Sequence, residues 1–215
     1  MKNVLLIGLG RFGRTVAEEL YKLGHQVMAI DKSENLINDV MPFVTNAQIG
    51  DSTSKEFLQS LGVDNYDVCI VTIKRDFQSS LETVALLEEL NANFVVARAS
   101  SDFHARFLLK NGANKIVFPE KQMAKWTAVR YTANHILDYV EIDENLSVFE
   151  LDVPSSWVGK TVAQVDVRKK YNINIMGTFE NGKLSAAINA DTVFTKDKAI
   201  LVLGSYKDVQ KCFKL

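Results

Sequence analysis

The sequence predicts an α/β protein: a Rossmann-like, doubly wound parallel sheet followed by a small α+β domain. Three observations predict it. Strand-length apolar runs without polar alternation recur from Val4 to Phe118, each separated from the next by a helical pattern, as parallel strands buried on both faces require. A glycine-rich segment, Gly8-Leu9-Gly10-Arg11-Phe12-Gly13, joins the first run to the first helix, the position at which such folds bind nucleotide phosphates. From about Glu141 the pattern changes to period-two alternation and short turns, which reads as half-exposed strands.

Taken in order, Val4 to Ile7 is the first strand and Arg11 to Leu23 the first helix. Val27 to Ile30 is the second strand, and Ser33 stands where a helix N-cap belongs. Asn46 to Ile49 makes a weaker third strand before a short helix over Ser54 to Leu61. Val68 to Thr72, Phe94 to Ala97 and Lys115 to Phe118 supply strands four to six, with helices over Phe77 to Leu90 and about His104 to Leu109 between them. Right-handed crossovers then wind the sheet on both faces.

Pro119 favours a helix start. Met123, Trp126, Ala133, Leu137 and Val140 follow at helical spacing, predicting one long helix from Glu120 to Tyr139. Beyond it, Leu146 to Val153 alternates as a strand and Thr161 to Tyr171 is helical. Ile173 to Phe179 and Leu184 to Ile188 are strands joined by a turn at Glu180-Asn181-Gly182-Lys183. Ala199 to Leu203 is the last strand and Lys207 to Phe213 the terminal helix. The expected domains are residues 1–138, including a crossover helix over 120–138, and residues 139–215.

Composition narrows the function. The 215 residues are 47% hydrophobic and 24% charged, with 25 Lys and Arg against 26 Asp and Glu. That balance argues against attachment to nucleic acid or an anionic membrane by bulk charge. Arg168-Lys169-Lys170 is a short charge run of the kind found on solvated helix faces. No apolar run approaches the roughly 20 residues of a spanning helix, so direct membrane insertion is not expected. The two cysteines, Cys69 and Cys212, form no metal-ligand spacing and suit a reducing cytoplasm.

The glycine loop carries the strongest functional signal. Gly8 permits the tight turn, Gly10 lets a pyrophosphate approach the backbone, and Gly13 allows close helix–strand packing. Phe12 lies inside the loop, and the helix N-terminus offers free amides to phosphate. Asp31, ending the second strand, suits the ribose hydroxyls and disfavours a 2′-phosphate, although Lys32 beside it weakens that exclusion. Gly50-Asp51 follows the third strand, where it either flanks the adenine or makes a simple turn. Thr72-Ile73-Lys74 and Arg98 end the fourth and fifth strands at the same sheet edge, where Lys74 and Arg98 reach toward phosphate. Arg11 puts a cation inside the loop, from which a terminal phosphate would profit.

Hydride-transfer chemistry lacks its parts. The roughly 75 residues of the second domain hold no histidine, and His25, His104 and His135 read as surface or satisfied residues. No catalytic residue is expected. The nucleotide reads as a signal to be sensed.

These motifs resemble the RCK (regulator of K+ conductance) family, in particular the cytosolic regulatory subunits of Trk/Ktr-type potassium uptake systems. The resemblance runs from the glycine loop through Asp31, Gly50-Asp51, Val95-Val96-Ala97-Arg98-Ala99 and Asn111-Gly112-Ala113 to Phe118-Pro119-Glu120-Lys121-Gln122-Met123, then into Leu151 to Gly204. It implies a homodimer that assembles into a ring, commonly an octamer, at the inner face of the cell membrane beneath a membrane-embedded transporter subunit. It implies ATP or ADP as ligand, with NAD or NADH as the alternative in Trk-like relatives. Carried over by position, Asp31 would hold the ribose, Gly10 to Gly13 the phosphates, Arg11 the terminal phosphate across the dimer, and Glu120 a divalent cation or Na+. Some relatives bind cyclic di-AMP in the C-terminal domain; Val162, Ala163, Asp166 and Arg168 occupy the corresponding segment, for which a plain dimer interface is the alternative. A small NAD-dependent oxidoreductase is the more distant reading.

Overall fold

The computed structural model describes every residue except Glu144, Asn181, Asp197 and Leu215. It divides into two compact units, Met1–Glu120 and Lys121–Leu215.

The first unit alternates strand and helix as the apolar runs require. Its strands are β1 (Asn3–Ile7), β2 (Gln26–Asp31), β3 (Asn46–Ile49), β4 (Val68–Val71), β5 (Val95–Arg98) and β6 (Lys115–Val117). The helices between them are α1 (Arg11–Lys22), α2 (Glu34–Val40), α3 (Lys55–Ser60), α4 (Phe77–Glu89) and α5 (Asp102–Lys110). The sheet order is β3-β2-β1-β4-β5-β6, and every pairing is parallel. Side chains alternate across a strand, so β1 buries Val4 and Leu6 with α1 and α2 on one face, and Leu5 and Ile7 with α3, α4 and α5 on the other. The order reverses between β1 and β4, and ligands of open α/β sheets bind at the carboxyl ends of strands flanking such a switch.

Ser33 occupies the N-cap position of α2, but its hydroxyl makes no capping bond; its N–H donates to Asp31 Oδ1 at 2.9 Å instead. Ser54, Asp76 and Ser101 do cap α3, α4 and α5 through their side chains.

The predicted helix over 120–138 is shorter than its periodicity suggests. α6 spans Pro119–Thr132, and Ile136–Glu141 is a strand, β7. Leu137 and Val140 continue the helical spacing by coincidence. Pairing of Ile136 with Leu151 and Tyr139 with Phe149 gives this segment backbone partners and buries both Ile136 and Tyr139, so tertiary context overrides the helical period.

In the second unit β7 is followed by β8 (Ser147–Asp152), α7 (Val162–Val165), α8 (Val167–Tyr171), β9 (Asn174–Glu180), β10 (Lys183–Ser185), β11 (Ala199–Gly204) and α9 (Tyr206–Phe213). The sheet order is β10-β9-β11-β8-β7, antiparallel throughout. Its core gathers Phe149, Leu151, Trp157, Ile173, Phe194 and Phe213. The helix expected over Thr161 to Tyr171 breaks at Asp166, whose φ of 51° is left-handed. β10 is shorter than the strand expected over Leu184 to Ile188, and of the expected turn Asn181 lies outside the described residues. Among the described residues no helix is long and apolar enough to cross a membrane.

Candidate functional site

The site is assembled at the carboxyl edge of the first sheet, where β1, β2, β4 and β5 end. Gly8 adopts φ +90°, a left-handed conformation that L side chains rarely take, and its N–H donates to Ile30 O at 2.9 Å. Gly10 is the N-cap of α1 and offers no side-chain cap, and the first turn carries no acidic residue. Arg14 N–H donates to Gly10 O at 2.9 Å, so the amides before Arg14 have no acceptor within the helix. They form a bare, partially positive helix end suited to phosphate. A Cβ on Gly10 would have nothing within 4 Å, so the backbone there is open to a ligand. A Cβ on Gly13 would sit 2.0 Å from Gly8 O and 2.7 Å from Thr72 Oγ1. Gly13 therefore serves packing, and Thr72, whose hydroxyl donates to Gly8 O, braces the loop from β4.

Asp31 ties the loop to the end of β2. Its Oδ2 accepts Leu9 N–H at 2.7 Å and its Oδ1 accepts Ser33 N–H at 2.9 Å. Each oxygen retains a lone pair for a ribose hydroxyl. Asp31, Lys32, Gly50 and Ile73 line one cleft of about 180 Å³ together with Gly8, Ser52, Asp76 and Ser79. Lys32 Nζ lies 3.0 Å from Asp51 Oδ1. The Thr53 hydroxyl and amide, with Lys32, hold the Asp51 carboxyl below the usual carboxylate range. Lys32 is thus engaged with Asp51 and makes no lone cation for a 2′-phosphate.

A second cluster borders the glycine loop. Lys74 Nζ lies 2.9 Å from Glu120 Oε1, and the Arg98 guanidinium bonds the same oxygen. Arg98 also stacks over the Phe12 ring at 4.9 Å, and its Nε is buried with no hydrogen-bond partner among the described residues. The bond from Lys74, the backbone amide at the start of α6 and the Arg98 charge lower the Glu120 carboxyl to about 2. Arg11 is exposed and has no ion-pair partner among the described residues.

The residues of one chain do not fit a bound metal ion. Glu120 is already paired with two side-chain cations, and no group of three or more His, Cys, Asp or Glu among the described residues could hold an ion.

Sequence reasoning missed Ser52, Asp76 and Ser79 in the cleft. Asp76 had a signal, since Asp opening an amphipathic helix is a cap; Asp76 accepts Ser79 N–H at 3.0 Å. The histidines take no part. His25 Nδ1 accepts Lys2 N–H at 3.2 Å, His135 lies in the turn before β7, and His104 is buried against Phe77, with ring centroids 4.7 Å apart. Burial pushes the Cys69 thiol up to about 12 and the Cys212 thiol up to about 11, so neither is a ready thiolate.

In the second unit, Val162, Ala163, Asp166 and Arg168 do share one pocket, of about 330 Å³, lined also by Asn174 and Asn189. Its lining mixes the charged Asp166 and Arg168 with the apolar Val162 and Ile175.

Two regions match known domain families: residues 4–119 match the TrkA-N domain and residues 146–215 the TrkA-C domain. The chain is 36% identical to Ktr system potassium uptake protein C of Bacillus subtilis (strain 168), over 98% of this chain and 95% of that protein. It is 30% identical to Ktr system potassium uptake protein A of the same organism, with the same coverage. Among solved structures, the GsuK channel bound to NAD superposes over 100% of this chain and 39% of its own, with a TM-score of 0.70 and 19% identity. The Kef C-terminal domain of Shewanella denitrificans in its AMP-bound form covers 61% of this chain and 82% of its own, with a TM-score of 0.52 and 25% identity.

Proposed function

The chain belongs to the family that joins a TrkA-N domain to a TrkA-C domain, and on that premise we propose that it is the cytosolic regulatory subunit of a Ktr-type potassium uptake system, switched by adenine nucleotide. One observation carries the reading. A bare glycine-loop helix end stands beside Asp31, which ends β2 and accepts Leu9 N–H, in a chain that aligns over 98% of its length with a Ktr uptake protein.

The ligand enters the cleft with its ribose on Asp31 and its phosphates on the amides at Gly10 to Gly13. A third phosphate extends past the loop toward Lys74 and Arg98. The exposed Arg11 reaches the terminal phosphate bound in a second copy of the chain. ATP engages that arginine and ADP does not, so the two ligands favour different arrangements of the homodimer and of the ring built from it. Met123, Tyr131, Val140 and Ile142 are apolar and exposed near α6 and β7, as a face that meets another copy needs to be. The ring passes the difference to a membrane-embedded transporter subunit. A coupling of roughly 1–3 kcal/mol changes the open population about 5- to 150-fold. The second-unit pocket takes cyclic di-AMP in the same scheme, its Arg168 facing phosphate. No step consumes the nucleotide, and the chain acts without catalysis.

NAD(H) as the physiological ligand is the second reading, favoured by the NAD-bound GsuK structure. Titrating ATP, ADP, NAD+ and NADH against the purified chain separates the two. Tightest binding of ATP and ADP is expected; a preference for NAD+ or NADH moves the assignment to the second reading. Arg11→Ala should erase the conformational difference between ATP and ADP, read by small-angle scattering, while ADP binding persists. Distinct ATP and ADP shapes in that variant would sink the Arg11 scheme.

A further inference from the structure

The cluster of Lys74, Arg98 and Glu120 holds more than an ion pair. Its position is fixed against the glycine loop. Thr72, two residues before Lys74, bonds Gly8 O, and a Cβ on Gly8 would come within 3.2 Å of Ile73 N. Arg98 is pinned under Phe12, with its side chain 10% exposed. Lys74 and Arg98 converge on the same carboxylate oxygen of Glu120, leaving one positive charge in excess.

A carboxylate beside a polyphosphate repels it unless a cation stands between them. We infer that Lys74 is that cation: its ammonium takes the place a metal ion would need to bridge Glu120 to the terminal phosphate, and triphosphate binding by this chain is independent of divalent ions. An ammonium has three donors. One serves Glu120, and two remain for phosphate oxygens. Arg98 holds the carboxylate in place and adds to the net positive charge. A divalent ion entering at Glu120 would have to displace the lysine against like-charge repulsion. This inference rests on the adenine-nucleotide reading of the cleft.

The test is isothermal titration of the full chain with ATP and with ADP, each in EDTA and in excess Mg2+ or Ca2+, using wild type, Lys74→Gln and Lys74→Arg. Lys74 is half-exposed, so neither substitution disturbs the core. Wild type should bind ATP in EDTA within about threefold of its affinity in Mg2+. Lys74→Gln should lose about tenfold or more of its ATP affinity in EDTA, as expected for a charged hydrogen-bond donor, and regain it with Mg2+ or Ca2+. Lys74→Arg should behave as wild type, and ADP affinity should stay level throughout. A wild-type ATP affinity that itself rises about tenfold with Mg2+ overturns the inference, as does full ATP affinity of Lys74→Gln in EDTA. If wild type binds neither ATP nor ADP under any condition, the nucleotide reading falls, and this inference with it; ADP binding with metal-dependent ATP binding refutes the inference alone.

Discussion

Gly10 and Gly13 look alike in the motif and do different work. A methyl at Gly13 meets Gly8 O at 2.0 Å, backbone that cannot yield cheaply, whereas a methyl at Gly10 meets nothing within 4 Å. Gly13→Ala should therefore destabilise the first unit by about 1–3 kcal/mol, as overpacking does, and weaken ADP binding along with it. Gly10→Ala should leave the urea midpoint unchanged and still weaken ADP, because the methyl would enter the open space proposed for the phosphates. Equal destabilisation by the two substitutions would contradict these roles. At this scale the local geometry was legible wherever one residue's chemistry was sufficient: the turn and packing of the glycines, and the place of Asp31 at a strand end. It was not legible for Lys74 with Glu120, which lie 46 residues apart and meet only because parallel strands bring their carboxyl ends to one edge. Each reads singly as a plausible phosphate or cation residue; their mutual neutralisation is a property of the sheet.

Elements of the first unit were legible because local chemistry and tertiary pairing agree. Apolar β-branched runs form strands that are buried on both faces, and Ser54, Asp76 and Ser101 stop the chain where a helix must begin. The cap at α4 also borders the cleft that Gly8 and Asp31 line. Asp76→Ala removes acceptors for Ser79 N–H at 3.0 Å and Ser79 Oγ at 2.6 Å, and should cost about 0.5–2 kcal/mol in chemical denaturation, the range for a lost N-cap. A change within error would mean that water replaces the cap at no cost. α6 is where local and tertiary signals part. Its helical spacing ran on into Ile136–Glu141, but an antiparallel neighbour in β8 offered that segment a ladder, and nothing in the spacing of apolar residues announces a neighbour. The helix over Thr161 to Tyr171 failed for a smaller reason: Asp166 turns left-handed, and Asp is one of the few non-glycine residues that does so readily.

Across the whole chain, the two-part organisation was legible from the change in texture. The first unit builds two cores, one on each face of its sheet, and the second builds a separate one around Phe149 and Trp157. Differential scanning calorimetry should therefore resolve two transitions, of which a saturating adenine nucleotide raises one. At a ligand concentration of 100 Kd the gain is about 2.7 kcal/mol. The same transition should respond to mild acid through His104, which burial holds below its ordinary value of 6.5. Below 6.5 the unfolded chain takes up a proton that the buried, neutral ring resists, so stability is complete above that value and falls as the pH drops toward the depressed folded value. His104→Gln should flatten that fall while the second-unit transition keeps its course. Two transitions that shift together with nucleotide would show the units unfolding as one.

Asp31 has one further consequence, for anyone wishing to retune this chain. In dinucleotide sites an acidic residue after the second strand goes with a free ribose 2′-hydroxyl and a nearby basic one with a 2′-phosphate. Here the same carboxylate clasps Leu9 N–H on one side and Ser33 N–H on the other. Exchanging it would unfasten two backbone segments, so under the proposed ligand reading any change of preference made here also changes the shape of the loop. A redesign would have to supply new acceptors for both amides before a new ligand had a site to enter.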